Sequence, residues 1–230
     1  MRCALCYRSS ALFTRRTKRF AIGVLLACGL AACRPKSPVA PTPTSLTATL
    51  PIMAASRLTA EQIVAWFAVR QSQVPGSYAA TVPVDVMARL FVDEGAAEGV
   101  TGDAAFMQSV VETGWFRFTG LVPAAANNFA GLGTTDVNPM TAFFADARTG
   151  VRAQIQHLRT YADPAAVSCT MPPLHNPCVD PRFDLVTPKG KAPNWNQLGN
   201  GNWASAPTYA SSILSLYDDA IRFASVSSVR

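Results

Sequence analysis

The feature that most limits the fold is a stretch that suits neither helix nor sheet. Between a helix-patterned segment ending near Ala162 and another beginning near Tyr209 lie more than forty residues, and "DPAAVSCTMPPLHNPCVDP" alone carries five prolines. Proline removes a backbone donor and fixes φ, so this run interrupts helices and ladders alike. An irregular stretch of that length is uncommon inside a compact domain and is commonly functional. It has to be laid across a scaffold built by the rest of the chain.

That scaffold is helical. "LTAEQIVAWFAVRQSQ" opens with Thr59 and Gln62 at capping-box spacing, and Ala60, Ile63, Val64 and Phe67 share one helical face. "VPGS" then breaks the helix. A second helix is predicted from about Val84 to Glu98, with Gly99 as its stop. Its apolar stripe of Val84, Met87, Ala88 and Phe91 runs on to Glu94 and Glu98. Carboxylates on a core-facing line need partners or a cleft edge, unless the stripe simply reaches solvent at the helix end. A third helix starts near Asp103, the expected N-cap, and ends at Glu112 and Thr113. Met107, Val110 and Val111 form its buried face, while Gln108 and Glu112 share a more polar one. A fourth covers about Ala147 to Ala162, with Asp146 suited to its N-cap, Val151, Ile155, Leu158 and Tyr161 facing inward, and His157 without an evident partner. The last spans about Tyr209 to Phe223. Few β-rich segments occur, so the class is mainly α.

The N-terminus reads as a targeting segment. Six of the twenty Lys and Arg, and none of the fourteen acids, precede residue 34. The apolar run "FAIGVLLACGLAA" (20 to 32) has thirteen residues, which suits a signal-peptide core and is short for a membrane span. The net charge of +6 therefore belongs to this segment, and the remainder holds fourteen bases and fourteen acids. That balance removes the case for nucleic acid as a partner. "LAAC" (30 to 33) resembles the lipobox of bacterial lipoproteins, in which the signal is cut before the cysteine and the thiol is acylated. Ordinary cleavage near Ala32 is the alternative. The expected organisation is a signal peptide at 1–32, lipidated Cys33 with a Pro/Ser/Thr-rich tether at 33–57, and a folded domain at 58–225.

Export also orders the cysteines. Cys3, Cys6 and Cys28 leave with the signal and Cys33 takes lipid, so Cys169 and Cys178 remain as a pair in an oxidising compartment. A disulfide is expected there. A metal site would need more ligands than His175 adds nearby, so neither metal nor cofactor is expected.

"VVETGW" (110 to 115) places Glu112 in the last turn of the third helix. The partial negative charge of a helix C-terminus disfavours a carboxylate, and an apolar neighbour such as Trp115 adds desolvation in the same direction. A glutamate kept protonated near neutral pH can give a proton to a leaving oxygen. Glycosidic cleavage needs that donor, an aromatic platform for a sugar, and amides for acetamido groups. Trp115, Trp195, Trp203, Asn127 and Asn128 are the candidates.

"EGVTGDAAFMQSVVETGWFRFTG" followed by "NNFAGLG" resembles the core of bacterial glucosaminidase domains, the lysozyme-like endo-β-N-acetylglucosaminidases. The matching positions are Ala104 or Ala105, Gln108, Glu112, Thr113 and Gly114, then Asn128, Phe129, Gly131 and Leu132. "FADARTGVRAQIQHLRTYAD" and "VDPRFDLVTPKGKAPNWNQLGNGNWA" are similar to the downstream half of one subgroup, so the likeness covers about residues 83 to 217. It implies a lysozyme-like α-helical domain with a small irregular or β lobe and a long disulfide-stapled loop. It implies Glu112 as general acid, with Gln108 and Asn128 orienting acid and sugar, and with the tryptophans and Phe129 lining a groove. The implied substrate is peptidoglycan or a related N-acetylglucosamine glycan, met by a monomer held at the cell envelope through its lipid.

One departure stands out. Many relatives carry a second acid after the asparagine loop, and this chain offers only Asp136 and Asp146 there, with Asp136 the candidate partner. A separation of ~5 to 5.5 Å from Glu112 would allow a retaining route, and ~6.5 to 9.5 Å inversion. If neither acid reaches, substrate assistance or lytic transglycosylation by Glu112 alone is the expectation. A catalytically silent glycan-binding lipoprotein is the rival from another class.

The anchor has a direct check. One acyl chain holds a protein marginally and two hold it stably, so wild-type protein should fractionate with membranes while Cys33→Ala should not. Soluble wild-type protein with Cys33 unmodified by mass would remove the anchor.

Overall fold

The computed structural model describes residues 49–133 and 141–227. Cys33, Asp136, the signal segment and most of the tether lie outside the described residues. Five α-helices are present among them: α1 (Ala60–Gln71), α2 (Val84–Glu98), α3 (Gly102–Glu112), α4 (Ala147–Ala162) and α5 (Tyr209–Ser227). No strand occurs among the described residues, and the one isolated bridge pairs Pro51 with Asn194. The lobe around the asparagine loop is thus irregular where it is described.

Three helix ends are set as the sequence directs, while α5 runs on to Ser227, past the expected Phe223. Thr59 and Gln62 form the capping box of α1. Gly99 ends α2 in the left-handed region at φ 73°. Asp146 caps α4 by accepting from the Thr149 N–H at 2.8 Å. On α1 the buried face is Ala60, Ile63, Trp66 and Phe67, so Trp66 takes the place expected of Val64.

Helix α3 occupies the centre and is buried from Gly102 to Val110. Backbone contact with α2 makes this possible. A Cβ added at Gly102 would lie 2.0 Å from the Phe91 carbonyl oxygen, and one at Gly95 would lie 2.6 Å from the Gly102 Cα. Only hydrogen fits on either side. Helix α3 also starts two residues earlier than expected. Thr101 is its N-cap, and Asp103 lies inside the first turn. Freed from capping, the Asp103 carboxylate accepts from Arg57 N (2.7 Å), Leu58 N (2.9 Å) and the Tyr217 hydroxyl (2.9 Å).

The two carboxylates on the buried stripe of α2 are paired. Glu94 meets Arg148 at 2.5 Å and Arg152 at 2.8 Å. Glu98 meets Arg159 at 3.2 Å and accepts from Gln156 Nε2 at 3.0 Å. Every one of these partners is on α4, so the pairs join the two helices.

Glu98 also reaches the proline-rich stretch by accepting from His175 N at 2.7 Å. Gln156 continues the attachment, donating to the carbonyls of His175 (2.9 Å) and Pro177 (3.3 Å) and accepting from Val179 N (2.8 Å). The Cys169–Cys178 disulfide, with its Cα atoms 5.5 Å apart, closes this part of the loop. The polar side chains of α4 therefore supply the hydrogen bonds that the loop cannot make with itself.

The packed region begins before residue 58, where composition places its boundary. Leu50 and Ile52 are buried. Their carbonyls accept from Trp195 N and Thr101 N, each at 2.9 Å. Low charge and its place after a proline-rich run hide this segment, because its backbone pairs with a distant turn.

Gly102→Ala should destabilise the fold by about 3 kcal/mol, the upper part of the range for overpacking, since backbone rather than a flexible side chain must move. Denaturant unfolding that gave a change below ~1 kcal/mol would mean α2 and α3 are free to separate.

Candidate active site

The end of α3 is built to hold one side chain at a cavity. Thr113 caps the helix, its hydroxyl donating to the Ser109 carbonyl (2.6 Å) and accepting from Phe116 N (2.8 Å). The chain then reverses through positive φ at Gly114, Trp115, Phe116 and Phe118. This turn bounds one side of a cavity of about 230 Å³, lined by Glu112 together with Thr113, Phe118, Thr119, Asn128 and Gly131, among others.

Two donors converge on one oxygen of Glu112. Trp203 Nε1 donates to Oε1 at 3.1 Å, and the Tyr209 hydroxyl donates to the same atom. Oε2 is turned toward Gly131, where a Cβ would stand 3.8 Å away. Glu112 is exposed at the cavity, yet protein packs densely around its carboxyl. That crowding pushes its carboxyl above the ordinary range, and the hydrogen bonds from Tyr209 and Trp203 oppose the rise. Tyr209 is held well above the usual phenol range, by burial first and then by the Glu112 charge, so it remains a donor.

Behind this pair lies a buried polar network. Gln108 Nε2 donates to the Tyr209 oxygen at 2.8 Å. Gln154 Nε2 donates to Gln108 Oε1 at 2.8 Å, and the Ser109 hydroxyl donates to Gln154 Oε1 at 2.9 Å. Trp203 has its own support: the His157 ring meets it edge to face at 5.0 Å, and His157 Nδ1 lies 2.8 Å from Asp180 Oδ2. Asp180 is the partner of His157 that the sequence does not reveal.

The expected site residues separate into two groups. Glu112, Gln108, Asn128 and Trp203 gather at or directly behind the cavity. Asn128 serves the loop first: its amide donates to the Leu132 and Ala142 carbonyls (2.7 and 3.1 Å), and its oxygen accepts from Leu132 N (2.9 Å). Asn127 does likewise, donating to the Phe144 carbonyl at 3.1 Å and accepting from the Thr81 hydroxyl. Its own carbonyl rests against Gly150, where a Cβ would come within 1.7 Å.

The other aromatics are packing residues. Trp195 is buried and donates to Thr101 Oγ1 at 2.7 Å. Phe129 is buried against Phe91, Phe116 and Phe118. Trp115 stacks on Trp66 at 5.6 Å. Tyr209 and Gln154 are the participants that sequence reasoning missed. Each looks like an ordinary helix residue until the helices are assembled. Among the described residues, no three His, Cys, Asp or Glu side chains converge to hold a metal ion.

Residues 88–221 match the glucosaminidase family model, described as mannosyl-glycoprotein endo-beta-N-acetylglucosaminidase. The chain belongs to the glucosaminidase family. The matched span contains Glu112, Asn128, Trp203 and Tyr209, and glycosidase is the class of chemistry that goes with it. An uncharacterized protein of Borreliella burgdorferi is 36% identical over 126 residues, which are 55% of this chain and 57% of that protein. The match thus spans a little over half the relative's length. No solved structure matches the chain.

The raised carboxyl of this family member has a signature in stability. A group whose folded pKa is raised contributes stability below its unfolded pKa and loses it as pH rises through the folded value. Glu112→Gln cannot ionise. Its melting temperature should therefore gain on that of the wild type as pH rises from about 4, the ordinary glutamate value, towards neutrality. A gap between the two proteins that stays constant over that interval would show Glu112 to titrate normally.

Proposed function

We propose that the protein is an endo-β-N-acetylglucosaminidase that cleaves β-1,4 bonds next to N-acetylglucosamine in peptidoglycan, with Glu112 as general acid. The observation that carries this reading is a carboxyl open to a cavity, with both of its donors on the same oxygen. Burial favours the protonated form before reaction. As the bond between the anomeric carbon and the bridging oxygen lengthens, Glu112 gives its proton to that oxygen, and the bonding electron pair leaves with it. The sugar is left with oxocarbenium character, and the new carboxylate keeps the Tyr209 and Trp203 hydrogen bonds. These bonds are stronger to a charged acceptor than to a neutral one, so they act most once the proton has gone.

The cavity is otherwise uncharged, as suits a neutral sugar: no Lys, Arg or second acid is among its described lining residues. Asp136 is the acid we assign as base or nucleophile. Export, acylation at Cys33 and a tether complete the proposal, placing a monomeric domain near the wall. A tether of ~16 residues before the packed segment at Leu50, in an extended polyproline form, would reach up to roughly 50 Å.

Purified protein should release muropeptides from peptidoglycan with one water added per bond cut. Glu112→Gln should lose ~10²- to 10⁴-fold in rate with the fold retained. Near-wild-type turnover in that variant would end the assignment of the acid. Anhydro-sugar products would make the enzyme a lytic transglycosylase, and binding without turnover would make it a glycan-binding protein.

A further inference from the structure

We infer that Gln154 is a positioning residue for the reaction: it sets the direction of the Gln108 amide, which turns the Tyr209 hydroxyl hydrogen onto Glu112 Oε1 and leaves Oε2 to carry the transferable proton. This rests on the reading of Glu112 as the acid.

The direction of the network follows from one atom whose role is fixed. The Ala105 carbonyl can only accept, and Gln154 Nε2 lies 3.2 Å from it. That contact settles which end of the Gln154 amide is nitrogen. Its second N–H then points at Gln108 Oε1 at 2.8 Å, and its oxygen takes the Ser109 hydroxyl at 2.9 Å. Because Gln108 presents its oxygen to Gln154, it must present its nitrogen to Tyr209, and Nε2 is 2.8 Å from the phenol oxygen. An N–H already aimed at that oxygen leaves the phenol hydrogen no acceptor on the Gln108 side. It points to Glu112 Oε1.

The links behind Glu112 are buried. Gln108, Ser109 and Gln154 have no exposed surface, so water cannot reverse the order of donors. Oε1 of Glu112 is therefore occupied by two donors, from Tyr209 and Trp203. A proton on that oxygen would oppose both. Oε2, on the Gly131 side of the cavity, is where the proton resides and from which it passes to the bridging oxygen.

Gln154→Met in the full chain keeps the length of the side chain and deletes the amide. The Gln108 amide can then reverse, and Tyr209 can donate to Gln108 instead of Glu112. We expect kcat to fall roughly tenfold, the order set by one hydrogen bond to a charged group, with KM little changed. The alkaline limb of the kcat profile should move to higher pH, because the Glu112 carboxylate has lost a donor. Gln108→Met removes the competing acceptor, so Tyr209 still donates to Glu112; it should lose less than Gln154→Met, and the double variant should be no worse than Gln108→Met alone. An unaltered kcat and limb in Gln154→Met, or additive losses in the double variant, would overturn the proposal.

If Gln154→Met fails to fold, side-chain amide NMR of the wild type decides. Cross-relaxation from the Gln108 NH₂ to the Tyr209 ring supports the assignment, and a Gln108 carbonyl facing Tyr209 refutes it. An active Glu112→Gln would remove the acid reading itself. An inactive one beside an unaltered Gln154→Met removes only the role of Gln154.

Discussion

Burying a helix along its length obliges each of its polar side chains to find a partner inside the protein, and α3 is such a helix. A buried polar group without a hydrogen bond costs on the order of 1 to 3 kcal/mol, so these partners are requirements of the fold. Asp103 takes them from the segment before α1 and from Tyr217 on α5. Ser109 and Gln108 take theirs from Gln154 on α4 and Tyr209 on α5. The helix at the centre is thus tied to its neighbours by directional bonds as well as by apolar contact. Its last residue, Glu112, lies where that network meets the cavity.

The same logic explains how an irregular loop can carry a site residue. Trp203 lies in the stretch that forms neither long helix nor strand, yet its indole must be aimed at one oxygen of Glu112. Its setting comes from α4, where His157 packs on the ring and Tyr161 lies 5.6 Å from it, centre to centre. Glu98, Gln156 and the disulfide fix the earlier part of the loop against α2 and α4. Breaking one partner of such a buried pair leaves an uncompensated charge, so these attachments are costly to lose singly.

Much of the fold was legible because local chemistry and tertiary placement agree. The capping box at Thr59, the stop at Gly99 and the N-cap at Asp146 act within a few residues of themselves. The place of Glu112 at the end of α3 was legible for the same reason, since it stands in a short motif. What sequence could not show is partnership across long separations. Tyr209 meets Glu112 from 97 residues away, and Glu98 meets His175 from 77. Trp195 and Phe129 mislead as sugar platforms because an aromatic in a turn-rich segment can face either way. Here the Thr101 hydroxyl and a cluster of phenylalanines draw them inward. The stretch from Leu50 misleads in the opposite sense, since composition suggests a free tether where the backbone is paired.

Glu112 is poised between two opposing influences, and the balance suits an acid that must also be a good carboxylate. Desolvation alone would hold the proton too tightly to give it up. Donors alone would strip it before substrate arrived. Tyr209 and Trp203 both address Oε1, so they stabilise the ionised product without blocking the oxygen that faces the cavity. Had the two donors been divided between the oxygens, either position of the proton would have met a hydrogen already aimed at it. Their placement on one atom makes the two oxygens of a symmetric group unequal, and on the buried side Gln108 and Gln154 hold the phenol that addresses one of them.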